Sequence, residues 1–115
     1  DNAWYARFAD NHSPRVALDA ELHTGRAQIC AALLAAVQRW EPWIATLDAA
    51  RWDGALTYTR NNGQTMHVPF APTLGHVFNH ATHHRGQITA AITALGQPCP
   101  ELDWVYKLYQ EQAAP

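Results

Sequence analysis

The stretch HVFNHATHHRGQ, residues 76–87, gathers four of the chain's seven histidines into nine consecutive positions. Imidazole is a ligand for divalent metals and a proton carrier near neutral pH, so the spacing decides what such a cluster can do. His80 and His84 stand four apart. On a helix that makes them neighbours, able to offer two ring nitrogens to one ion. The competing reading is a solvated or hydrogen-bonded polar helix face. The motif is not of the HExxH kind, because the position after His80 is Ala81 where a general-base glutamate would stand. Two histidines also fall short of a catalytic centre, which commonly has three protein ligands and one open position. By residue type alone His12, His23 and His67 are candidates for the third donor, each expected to be an ordinary exposed histidine. Spacing reveals no Ser-His-Asp or Cys-His arrangement, no Gly-rich phosphate loop and no paired carboxylates.

These residues need a helix to hold them, and the pattern predicts one from Thr73 to Leu95, stopped by Gly96 and Pro98. At about 100° per residue, with His76 at zero, His83 falls near −20°, His80 near +40° and His84 near +80°. Val77, Ile88 and Leu95 sit near 100° to 120° and define the expected core face, with His80 and His84 closest to it. Gln87, near 20°, is placed to hydrogen-bond a ligand histidine or a metal-bound water. Gly86 is expected to permit close helix packing.

Upstream, DNAWYARFAD carries Trp4, Tyr5 and Phe8 at helical spacing, with Asp1 near the cap. After the turn cluster Asn11–Pro14, the residues Leu18, Leu22, Ile29, Leu33, Val37, Trp40, Ile44 and Leu47 recur along one helix face. Pro42 predicts a kink or restart there. In ALTYTRNNGQTMHVPF the period changes to that of strands, and Asn62-Gly63 suits the positive φ angles of a tight hairpin turn. A short amphipathic helix over ELDWVYKLYQE closes the chain.

With 115 residues the chain is expected to form one domain, residues 1–115. Its apolar content of 48% and five tryptophans exclude a disordered class. A formal charge of −2 without basic runs argues against nucleic acid as a partner. Apolar stretches too short to span a bilayer, and the lack of a leader pattern, argue against a membrane and for a cytoplasmic protein. Cys30 and Cys99 match neither a disulfide framework nor a zinc knuckle, and are expected to be reduced and mostly buried.

The segment LTYTRNNGQTMHVPFAPTLGHVFNHATHHRGQITAAITALGQPCPELDWVYKLYQE resembles the C-terminal half of DinB/YfiT-like proteins, whose hallmark is an NHxTxHRGQ-type helix. The likeness extends more weakly through DNAWYARF. It implies an all-α, up-down-down-up four-helix bundle with a small β-hairpin between helices. It further implies a divalent metal (zinc, nickel or iron) on three histidines, two of which match His80 and His84. The third would lie about five residues upstream of Asp1, on a helix whose AD..W stretch aligns with Asp1 and Trp4; on this reading the first helix and the start of the second precede the sequence. His76 and Gln87 are expected beside the ligands rather than among them, and His83 is not assigned ligand status. Related families include transferases and isomerases that use low-molecular-weight thiols such as bacillithiol or mycothiol. The resemblance therefore implies a metal-dependent thiol transferase, or a related hydrolase, acting on a small thiol or electrophile. The alternative is a non-catalytic, metal-binding or dimeric stress protein, damage-inducible as the family name suggests. A homodimer is expected, with Trp104 to Tyr109 as contact strip.

Overall fold

The structure is a computed structural model and describes residues 2–17 and 19–113. Asp1 and Leu18, used above for a cap and a helix face, lie outside them. In chain order the elements are α1 (Asn2–Ala9), α2 (Arg26–Gln38), α3 (Trp40–Ile44), α4 (Ala49–Trp52), β1 (Ala55–Thr59), β2 (Thr65–Pro69), α5 (Phe70–Ala94) and α6 (Trp104–Ala113). The protein is mostly helical, with one two-stranded antiparallel sheet. The chain divides into two units, residues 1–79 and 80–115, and α5 begins in the first and ends in the second.

In the first unit an aromatic core forms around Phe8, Trp40, Leu56, Phe70, Leu74 and Val77, with Trp4, Tyr5, Trp43, Tyr58 and Val68 packed against it. The ring centroid of Phe8 lies 5.1 Å from that of Phe70 and 6.1 Å from that of Trp40, both edge-on. Edge-to-face placement sets the positive rim of one ring against the negative face of the next.

The long helix expected from Leu18 to Leu47 is, over the described residues, shorter and broken. Residues 19–25 are not helical, so Leu22 precedes the element, which starts at Arg26. The Ala- and Leu-rich run to Gln38 sustains α2 by propensity. Pro42 then falls in the first turn of α3, where its missing N–H would be unused, so the chain restarts there. Asp48 caps α4, its carboxylate accepting from the Arg51 N–H at 2.9 Å.

The hairpin pairs Leu56 with Val68 and Tyr58 with Met66 on one face, and Thr57 with His67 on the other. Its turn differs from the tight two-residue form expected. Only Gly63, at φ 86°, has positive φ; the Gly63 N–H donates to Arg60 O at 2.9 Å, and the Arg60 N–H donates to Gln64 O at 2.8 Å. This is a three-residue loop in which glycine alone occupies the left-handed position. The irregular segment before α2 is tied to the hairpin: Thr59 N–H donates to Ser13 Oγ at 3.0 Å and Asn61 Nδ2 to Val16 O at 2.6 Å.

α5 starts at Phe70, three residues before the predicted Thr73, and the Phe70 N–H finds Gly54 O at 2.9 Å. Its end follows the predicted signal. Gly96, at φ 69°, donates to Thr93 O at 2.9 Å and Gln97 donates to Ile92 O at 3.2 Å, a Schellman closure that satisfies orphan carbonyls.

In the second unit none of the described residues is buried. That overturns part of the expected core face of α5: Val77, in the first unit, is 2% exposed, whereas Ile88 is 58% and Leu95 77% exposed. Amphipathic periodicity reports that a face is apolar and does not supply the surface that covers it. The same cause exposes Ile29, Leu33 and Val37 on α2, and with them Cys30; Cys99 is exposed too, so both thiols depart from the burial expected. An added Cβ at Gly86 would meet nothing within 4 Å, so the close packing expected at that glycine is not present.

Candidate metal centre

Mid-way along α5 the helical repeat brings His80 and His84 together. Their ring centroids are 4.5 Å apart at 78°, and His84 Nε2 lies 3.0 Å from His80 Nε2. Gln87 Oε1 lies 2.9 Å from His84 Nδ1. An amide oxygen only accepts, so neutral His84 carries its proton on Nδ1 and presents the Nε2 lone pair. That lone pair takes a hydrogen bond from His80 Nε2–H. A cation can take the place of that shared proton when both Nε2 atoms present lone pairs.

The donor set fits an imidazole-loving divalent ion in chemistry and nearly in spacing. At the usual zinc–imidazole distance of about 2.0–2.1 Å, two nitrogens on one tetrahedral ion lie about 3.3–3.4 Å apart. The observed pair need open by only about 0.3–0.4 Å, within reach of small side-chain rotations. His80 is half-buried and His84 exposed, so one side of the pair faces solvent. Arg85, next to His84, turns its Nη2 to Thr82 Oγ1 at 2.7 Å. α5 contains no acidic residue, so a metal-bound ring would find the acceptor for its other N–H in Gln87 rather than in a carboxylate of its own helix.

His83 completes a cluster of three rings, its centroid 5.8 Å from that of His80 and 5.4 Å from that of His84. Among the described residues, no group of three or more His, Cys, Asp or Glu side chains is placed to hold one ion. The candidates for a third donor are placed elsewhere. His67 is exposed on β2, where its Nδ1 meets Thr57 Oγ1 at 2.9 Å, and His12 and His23 are exposed in the irregular segment before α2. His76 belongs to the first unit, where its ring lies edge-on to Trp4 at 5.9 Å and lines a small cavity with Tyr58 and Val68.

The family assignment comes from the whole chain. The DinB family model matches residues 1–114. The chain belongs to the DinB family. No curated protein and no solved structure matches it. Among the described residues of this DinB protein, no helix is long and apolar enough to cross a membrane.

Sequence reasoning missed one polar feature of the first unit. Arg7 packs its guanidinium against Trp4, 4.7 Å from the ring centroid, and against Tyr58 at 4.9 Å. The i, i+3 spacing of Trp4 and Arg7 was a local signal for the first contact; nothing local announces Tyr58, which is 51 positions away in sequence. Burial lowers the Arg7 pKa from its ordinary value, with Tyr58 acting in the opposite direction.

Proposed function

We propose that this DinB protein binds a divalent metal through His80 and His84 and uses it for thiol-dependent transfer chemistry, or a related hydrolysis, on a small electrophile. The observation that carries the reading is the 3.0 Å approach of the two Nε2 atoms, with Gln87 holding His84 in the tautomer that presents its lone pair. A bound ion, zinc, nickel or iron, would supply Lewis acidity that makes a nucleophile of a thiol or water at neutral pH. His80 and His84 would hold it, and Gln87 would fix the orientation of His84. The solvent-facing side of the pair leaves room for a low-molecular-weight thiol. The third donor, a histidine by the family resemblance, belongs to the proposal. The up-down-down-up bundle and a cytoplasmic location belong to it as well.

The exposed strip of α6, with Trp104 72% and Tyr109 58% exposed, favours a second reading: a non-catalytic homodimer of the stress-response kind, in which the histidines serve structure. Transfer of a small thiol such as cysteine to chlorodinitrobenzene, followed in metal-loaded, chelator-treated and His84→Ala protein, separates the two. Activity restored by metal and lost in His84→Ala supports the enzyme. Activity that persists after chelation, or none in any sample, overturns it in favour of the second reading.

A further inference from the structure

Within the first unit, the side of α1 that carries Arg7 and the tip of the hairpin enclose a cleft of about 410 Å³. Its walls are Trp4, Tyr58 and Met66, and its polar groups include Arg7, Arg60 and Asn62. Two cations line it and no Asp or Glu does, although the chain as a whole carries a formal charge of −2. Neither arginine has a carboxylate partner among the described residues: the ion pair there joins Lys107 and Glu111 on α6. Among the described residues the Arg60 guanidinium makes one long hydrogen bond, Nη1 to Gln64 Oε1 at 3.4 Å. Among the described residues the Nε of Arg7 is buried and has no hydrogen-bond partner. A guanidinium presents its donors as a fork that matches the two oxygens of a carboxylate or phosphate, and an unmet buried donor is costly. Asn62 adds a donor at the rim: its Oδ1 accepts from the Gln64 N–H at 3.0 Å, which leaves the amide nitrogen for a ligand.

We propose that this cleft is a binding site for small aromatic anions, with the oxyanion held by Arg7 and Arg60 and the ring body packed against Trp4, Tyr58 and Met66. An anion completes what the fold leaves open. It faces the Arg7 and Arg60 side chains that line the cleft without a carboxylate, and offsets the desolvation that lowers the Arg7 pKa. The Trp4 and Tyr58 rings, 4.7 and 4.9 Å from the guanidinium carbon, fix Arg7 in the wall of the cleft. The site is independent of the histidine pair and of the function proposed for it.

Tryptophan fluorescence and indole N–H chemical shifts follow binding directly, since Trp4 is part of the wall. Benzoate, phenyl phosphate and the neutral isostere benzamide are titrated into the full chain at low salt. Saturable binding of either anion with benzamide weaker, weakened by salt, by about tenfold in Arg7→Gln and about threefold in Arg60→Gln, supports the site. A preference between benzoate and phenyl phosphate identifies the anionic group. Arg60 is exposed at the hairpin tip, so Arg60→Gln keeps the test valid even if Arg7→Gln fails to fold. Equal binding of benzamide, no binding of either anion at millimolar concentration, or anion binding unchanged by Arg60→Gln and by salt overturns the proposal and leaves Arg7 as a packing cation only.

Discussion

Replacing Gln87 by Met tests the role given to the contact between Gln87 and His84 without touching either proposed ligand. Met has nearly the helix propensity of Gln and a similar length, so α5 should be undisturbed. What is lost is one acceptor, 2.9 Å from His84 Nδ1. A neutral hydrogen bond of this kind is worth about 0.5–1.5 kcal/mol net, or about 2- to 12-fold in affinity. Ligand-orienting partners in enclosed metal sites are worth about 10–100-fold. Gln87 and His84 are both exposed, so water competes for the ring and the lower range applies. The expected result is about a fivefold weaker Kd for zinc in Gln87→Met, read by competition with a chromophoric chelator. Gln87→Glu should bind more tightly than wild type, because an ionised acceptor roughly doubles the hydrogen-bond strength. If Gln87→Met binds zinc as wild type does while His84→Ala does not bind it, the tautomer argument is wrong and Gln87 is a bystander.

Other expectations concern the fold that positions the site. Phe70, fully buried against Phe8, Trp43 and Trp52, should cost about 3–5 kcal/mol on replacement by Ala, whereas Tyr106→Ala on exposed α6 should stay within about 0.5 kcal/mol; urea denaturation compares them. Gly96→Ala should lose about 1 kcal/mol because its φ of 69° is left-handed, while Gly86→Ala, mid-helix and in open space, should gain about 0.5–1 kcal/mol, the two melting temperatures moving in opposite directions. Asp48→Ala removes the cap of α4 and should cost about 1 kcal/mol by the same denaturation assay, with Asp48→Asn recovering most of it.

What the sequence made legible was whatever depends on local geometry. The approach of His80, His84 and Gln87 follows from residues three and four apart on a helix, so it needed only the correct element. The stop at Gly96 and the restart at Pro42 are equally local, one a matter of φ and the other of a missing N–H. The hairpin was legible but its turn was not, because Asn62-Gly63 serves a two-residue or a three-residue loop and cross-strand register decides between them. Nor could periodicity say which apolar faces are covered. Val77 meets a core and Ile88 does not, although the two share one stripe of α5. The Arg7 cleft needed proximity of α1 and β1, which no spacing rule supplies.

The central claim is that His80 and His84 hold a metal, and metal stoichiometry tests it most directly. The untagged chain is dialysed against micromolar zinc, and in parallel nickel, and analysed for moles of metal per chain beside His80→Ala and His84→Ala, with circular dichroism to show that α5 persists. The expected result is near-stoichiometric metal in the wild type, lost in each variant. Wild-type protein that takes up no metal, or metal content untouched by both substitutions, would contradict the claim and leave the histidines of α5 as a hydrogen-bonded polar face.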